Sequence, residues 1–423
     1  MSIGFACLTL GLYDYQFRTV MAKNANKETL YEVINHNLTI LDKMIDYCAE
    51  NKIYMYRISS DLIPFGSSPI NQLPWESLFQ EKFISIGKKI IENRIRVSLH
   101  PGQYTVLNSF KEDVVDRAIL DLIYHNKILD LLKIDSTHKI ILHIGGAYQN
   151  KQAAIQNFEN NYKRLNPDIQ SRLVIENDDK IYTIEEVLQI GEKCQIPVVY
   201  DNLHNQINPS FPLQSDKEWI ERCARTWKPK DGKQKTHYSQ QAKGKKSGSH
   251  SFTIDIETFL QYYRSTNSHH QFDIMLEVKD KNLSAIKCNQ AVFDYFSITD
   301  LEKEWAKYKY LVLERSPNIY QAIRLLLQSK KEYPVVAFYS LLEEAFAVRL
   351  QTSVVCNSLE HVWGYFKDKA TLTEKKKFFS MLEKYKTGII KLQQIKRYLF
   401  RLATSYQITY LLQSYYFEED FIN

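Results

Sequence analysis

Scarcities in this 423-residue chain narrow its class before any motif is read. No apolar run approaches eighteen residues, so the sequence offers no membrane-spanning helix. The opening stretch, MSIGFACLTLGL, has no basic segment ahead of a long apolar one, which argues against a secretory leader and predicts a cytoplasmic protein. Cysteine is limited to Cys7, Cys48, Cys194, Cys223, Cys288 and Cys356, with no Cys-x-x-Cys pair. That pattern fits buried reduced thiols better than a disulfide framework or a thiolate zinc site. Charge of one sign is barely in excess: 55 Lys and Arg against 49 Asp and Glu leave a net charge of +6. A polyanionic partner is allowed by that balance without being demanded by it.

Glycine is scarce and unevenly spread. Eleven of the thirteen lie before residue 289, and only Gly364 and Gly388 follow. The two stretches therefore differ in architecture. In the first, apolar residues recur at helical spacing, as at Leu30, Val33, Ile34, Leu41, Met44, Ile45 and Cys48, and again at Ile155, Phe158, Tyr162 and Leu165. Between such helices fall strand-like runs near 3–8, 53–58, 95–100, 139–143, 172–176, 197–201, 235–238 and 274–279. Eight strands with intervening helices predict an α/β fold, a (β/α)8 TIM barrel. We assign residues 1–297 to it, with NLSAIKCNQAVFDYF as its last helix. Residues 298–423, rich in Tyr, Leu, Lys and Glu, read as a helical C-terminal extension whose charges look like solvated helix faces.

Barrels of this type place their chemistry at the C-terminal ends of the strands. Six consecutive strands here end at or near a metal-binding residue type: His100, His143, Glu176, Asp201, His237 and Glu277. A lone His or Glu at a strand end is usually a structural polar group, but six in succession favour a shared ion site. Asp201-Asn-Leu-His204 sets a carboxylate and an imidazole on one turn, and His250 follows the seventh strand. Eight ligands of mixed carboxylate and imidazole character exceed what one ion needs and suggest a polynuclear centre. Lys235, two residues before His237, projects to the same side of that strand.

The segments HPGQYTVLNS (100–109), ILHIGG (141–146), LVIEND (173–178), VVYDNLHN (198–205), KTHYS (235–239) and DIMLEVKDK (273–281), in this order, resemble the UV damage endonuclease family. That family's barrel is related to endonuclease IV and, more distantly, to xylose isomerase. The resemblance covers residues 1–288 and leaves out the tail. It implies a DNA repair endonuclease that nicks duplex DNA immediately 5′ to UV photoproducts, with abasic sites as a further substrate. It further implies a cluster of up to three divalent ions, typically Mn²⁺, and a monomeric enzyme.

Carried over to this chain, His100, His143 and Glu176 hold one ion, and Glu176 bridges to a second held with Asp201, His237 and Glu277. His204 and His250 help to hold a third. Glu176 and Lys235 count as catalytic, the matching lysine being one that can carry a carboxyl group near the metals. Gln103 and Tyr104, in the turn after His100, probe the lesion; the alternative for Tyr104 is simple packing under the loop. The run KPKDGKQKTHYSQQAKGKK, from Lys228 to Lys246, has seven lysines and one acid and is expected to meet phosphates. Two positions depart from the pattern: Ser67 and Ser68 stand where many relatives have a histidine, and Phe5 where some have tyrosine.

Two other readings compete. A sugar isomerase or epimerase on a related barrel would use similar ligands for an enediol intermediate, but the His-rich set and the lysine run favour a polyanion. A non-catalytic nucleic-acid-binding module would explain the lysines and leave the inward His and carboxylates without purpose.

Overall fold

The computed structural model describes residues 1–267 and 271–418. Eight parallel strands close into a barrel in chain order: β1 Ile3–Ala6, β2 Met55–Arg57, β3 Arg96–Leu99, β4 Lys139–His143, β5 Leu173–Glu176, β6 Val198–Asp201, β7 Lys235–Tyr238 and β8 Asp273–Leu276. The (β/α)8 architecture expected from the sequence is therefore present. Its strands are buried on both faces, which explains why they read as apolar runs rather than as alternating patterns. Strands β1 and β2 approach so closely that a Cβ at Gly4 would stand 2.1 Å from the Met55 carbonyl oxygen. Only glycine fits there.

The helices pack where their periodicity points. Lys27–Glu50 is capped by Asn26, whose side chain accepts from the Thr29 amide at 2.8 Å. Leu30, Val33, Ile34, Leu41, Met44, Ile45 and Cys48 are all buried along it. In Lys151–Tyr162 the buried face is Ala154, Phe158 and Glu159, while Ile155 and Tyr162 are only half-buried. The helix Asn282–Val292 follows β8. All six cysteines are free thiols. Among the described residues no helix is long and apolar enough to cross a membrane.

The N-terminal end of the barrel is closed by paired charges. Lys139, fully buried at the start of β4, donates to Asp231 Oδ1 at 2.7 Å and to the Ser171 carbonyl at 2.7 Å. Arg96, at the start of β3, meets Asp273 at 2.9 Å, and Asp273 also accepts from the Ser2 amide at 2.9 Å. This arrangement revises the reading of the lysine run. Lys228, Lys230 and Lys233 precede β7 and so lie at the barrel's N-terminal end, Lys235 is buried within it, and only Lys243, Lys245 and Lys246 follow the strand at the other end.

By compactness the chain divides into two units, residues 1–9, 14–254 and 259–289, and residues 10–13, 255–258 and 290–423. The second is helical, with Ile298–Leu313, Pro317–Leu326, Val335–Ala347, Thr352–Trp363, Leu372–Lys386 and Leu392–Ser405 as its main elements. Trp363 and Phe378 stack in its core at 4.5 Å. Lys396 is buried there against Glu314 at 2.8 Å, with the Tyr416 ring centroid 4.1 Å from its ammonium.

Candidate metal centre

The C-terminal strand ends converge on Glu176. In the ladder His143 pairs in register with Glu176, and Asp201 with His237, so neighbouring strands present these side chains at one level. His100 stands one residue past β3 and Glu277 one residue past β8. Glu176 Oε2 accepts from His100 Nε2 at 3.2 Å and lies 3.8 Å from His143 Nε2. Its Oε1 accepts from His237 Nδ1 at 2.7 Å and is 3.7 Å from His204 Nδ1. His237 Nδ1 is also 3.2 Å from Glu277 Oε1. Three groups result, each compact enough for one cation: His100, His143 and Glu176; Glu176, Asp201 and His204; Glu176, His237 and Glu277.

The donor set suits divalent ions. Such ions need ionised carboxylates and neutral imidazoles. Burial works against the Glu176 charge, yet the His237 and His143 rings and the bonds from His100 and His237 hold its carboxyl well below the usual range. Glu277 is likewise opposed by burial and held down by Arg57. Burial keeps His143 neutral, and its buried Nδ1 has no partner. Asp201 is fully buried with Oδ2 bare, and burial pushes its carboxyl up. A cation at that oxygen supplies the charge the site lacks. Burial would lower His204, but Asp201, Glu176 and Glu277 raise it to about 9. An ion there would displace a proton.

Supporting side chains fix these groups. Asn177, the residue after Glu176, accepts from the Asp201 amide at 2.9 Å and donates to the Asp201 carbonyl at 3.1 Å. Its own carbonyl accepts from His204 Nδ1 at 2.9 Å, which fixes that ring's tautomer. Asp201 Oδ1 caps the short helix Asn202–Ile207 through the His204 amide at 2.7 Å. Lys235 is fully buried, its ammonium nitrogen has no hydrogen-bond partner, and burial together with Arg96 and Arg57 brings its pKa well below that of a free lysine.

Not every expected residue joins the cluster. His250 is half-buried on the loop after β7, bridged to Gln241, and belongs to none of the three groups. Asp201 groups with His204 and Glu176 rather than with His237 and Glu277. Tyr104 does not pack under its loop; it is 72% exposed, beside an exposed Gln103. Gly102 makes room for it, since a Cβ there would lie 2.5 Å from the Tyr104 ring. Ser67 donates to Asp121 Oδ1 at 2.9 Å, and Thr105, next to Tyr104, donates to Asp121 Oδ2 at 2.6 Å. Phe5 is buried against Tyr56 with ring centroids 5.2 Å apart, a place that needs no hydroxyl.

Sequence reasoning missed Arg57. It ends β2 and is buried, donating to His237 Nε2 at 2.8 Å and pairing with Glu277 Oε1 at 2.6 Å. The available signal was a lone cation in the apolar segment Ile53-Tyr-Met-Tyr-Arg57-Ile58, since a buried charge must be paired.

Fold and site together define a (β/α)8 barrel with a candidate polynuclear metal centre at its C-terminal mouth. Comparison with known proteins makes the assignment particular. The family model described as UV-endonuclease UvdE matches residues 1–309, and the chain belongs to that family. A second model, described as a protein of unknown function (DUF1722), matches residues 309–420. The chain is 36% identical over 425 residues to the UV DNA damage endonuclease of Clostridium perfringens (strain 13 / Type A), covering 99% of this chain and 100% of that protein. It is 35% identical to the UV DNA damage endonuclease of Bacillus cereus (strain Q1), covering 68% of this chain and 93% of the relative. The crystal structure of SacUVDE superposes with a TM-score of 0.64 at 35% identity, over 72% of this chain and 99% of that one.

Proposed function

We propose that this protein is a DNA repair endonuclease that nicks damaged duplex DNA immediately 5′ to UV photoproducts, and at abasic sites, by metal-assisted hydrolysis of one phosphodiester. The observation that carries this reading is Glu176, shared by all three potential ion sites at the barrel mouth. Seven side chains, His100, His143, Glu176, Asp201, His204, His237 and Glu277, would hold up to three divalent ions, with Mn²⁺ suited to mixed imidazole and carboxylate donors. His250 falls outside this ligand set. Bound ions neutralise the phosphodiester's charge, acidify an attacking water and stabilise the departing oxygen.

The remaining work falls to the chain itself. Asn177 orients His204 and Asp201, and Arg57 keeps Glu277 ionised and His237 in place. Lys235, fully buried without a hydrogen-bond partner and two residues before His237, has its pKa brought well below that of a free lysine by burial, and on taking up a carboxyl group it would offer one more anionic donor to the site. Tyr104 and Gln103, exposed on the turn after His100, probe a distorted base pair. Lys243, Lys245 and Lys246 meet backbone phosphates. Residues 1–297 form the catalytic domain in this reading, and 298–423 an accessory one.

An end-labelled duplex carrying one photoproduct, incubated with Mn²⁺ or with EDTA, tests the proposal. One metal-dependent nick directly 5′ to the lesion, leaving a 3′-hydroxyl and a 5′-phosphate, is expected. Tyr104→Ala should slow nicking at the photoproduct more than at an abasic site. Metal-independent nicking, or none at either lesion, overturns the reading.

A further inference from the structure

The charge of the helical unit is concentrated in one place. Residues 290–366 hold eight Lys and Arg against nine Asp and Glu, whereas residues 367–401 hold eleven against three. Two of those three acids are engaged locally. Glu374 accepts from the Thr371 amide at 2.8 Å, its hydroxyl at 2.9 Å and Tyr406 at 2.8 Å, and Glu383 accepts from Lys386 at 2.8 Å. Lys375, Lys376, Lys384, Lys391 and Arg401 are exposed and form no ion pair among the described residues. Exposed cations this dense over two consecutive helices make that stretch of the unit strongly positive, a charge that a polyanion matches.

The surface has shape as well as charge. A groove of about 460 Å³ between Leu372–Lys386 and Leu392–Ser405 is lined by Met381, Gln394, Arg397, Phe400 and Arg401. Arg401 is exposed at this groove, so its planar guanidinium is placed to bind a phosphate by paired hydrogen bonds beside the apolar side chains of Met381 and Phe400. That combination favours a nucleic acid over an acidic peptide or a lipid surface.

We propose that the helix pair Leu372–Lys386 and Leu392–Ser405 is a second DNA-binding surface that grips backbone phosphates without regard to sequence or lesion. Its choice of DNA among polyanions rests on the endonuclease reading of the barrel. Its function is to raise the residence of the whole chain on undamaged duplex, leaving lesion recognition and hydrolysis to the barrel.

The test uses the full chain in EDTA and an undamaged 30-base-pair duplex, with binding measured across 50–200 mM salt. Each phosphate contact contributes about 0.9 to the slope of log K against log salt. The triple variant Lys375→Gln, Lys376→Gln, Arg401→Gln should therefore lower the slope by about 2 to 3 and weaken binding by roughly tenfold or more at 0.1 M salt. Exposed substitutions of this kind leave the melting temperature essentially unchanged. The control triple variant Lys303→Gln, Lys331→Gln, Arg349→Gln, an equal loss of three charges from exposed positions on the near-neutral part of the unit, should shift the slope little. An unchanged slope in the first triple variant overturns the proposal, as does an equal change from the control. Binding that the variant loses only on phosphatidylserine vesicles, and not on DNA, overturns it too. Nicking of lesion-bearing duplex at saturating enzyme is read in parallel. If the wild-type chain does not nick, the endonuclease reading fails while the slope still decides this one.

Discussion

At the N-terminal end of the barrel the buried Lys139 has buried Asp231 at 2.7 Å and the half-buried Arg96 has buried Asp273 at 2.9 Å, each pair locally complete. At the C-terminal end, Asp201 Oδ2 and His143 Nδ1 are buried with no partner, and four imidazoles crowd two glutamates. Both ends place charged side chains where water is scarce. One end resolves the cost within the chain; the other leaves acceptors open for something the chain does not contain. The same strands thus separate a stability face from a chemical face, as parallel barrels do generally.

The contrast is broken most strongly at Glu176, the carboxylate common to all three candidate ion sites. Glu176→Gln should lower incision by more than about 100-fold, beyond what loss of a supporting residue costs, and reduce bound metal measured by elemental analysis. Circular dichroism should show the barrel intact. Normal metal content and nicking would mean that the convergence on Glu176 is structural.

At the opposite end the expected signature is inverted. Lys139→Met leaves Asp231 buried without its cation, a change that costs about 3–5 kcal/mol of folding stability. Denaturant unfolding should register that loss while nicking per folded molecule stays at the wild-type level. A loss of turnover with unchanged stability would erase the division between the two ends.

A smaller effect sharpens the comparison through pH. Burial, with Arg96 and Arg172 nearby, lowers His138 to about 4 despite the carboxylate of Asp135, and its Nδ1 accepts from the Val97 amide at 3.0 Å. The folded state therefore prefers the neutral ring. Its contribution is present in full above the unfolded pKa near 6.5 and is lost as pH falls from there toward 4. Between those limits the loss is on the order of 3 kcal/mol. Metal-free wild-type protein should lose melting temperature over this interval more steeply than His138→Gln; parallel curves would remove His138 from the account.

Much of the barrel was legible because buried parallel strands leave apolar runs, and a candidate ligand at or near the end of six of them interrupts the run at a definable place. His143, Glu176 and Asp201 end their strands as read, and His100 and Glu277 lie one residue beyond. Arg57 was harder to find, because a strand-end cation declares its function only once Glu277 and His237 are seen beside it. The lysine run misled for a geometric reason. A strand crosses the barrel from one end to the other at about 3.3 Å per residue, so lysines adjacent in sequence were delivered to opposite ends. His250 lies on a loop whose course no local pattern specifies, and Tyr104 gave no sign of which side of its turn the ring would take.

Asp121 holds two loops of the mouth at once, one through Ser67 and the other through Thr105. Ordering a loop residue costs about 1–2 kcal/mol in conformational entropy, and here that cost is met when the barrel folds rather than when the duplex arrives. A recognition turn already fixed in shape gives up little further freedom on binding, so more of the contact energy remains as affinity. It also yields little to the shape of its partner. On the proposed reading, Tyr104 would meet each base pair as a rigid gauge, and the duplex, being the softer body, would do the bending.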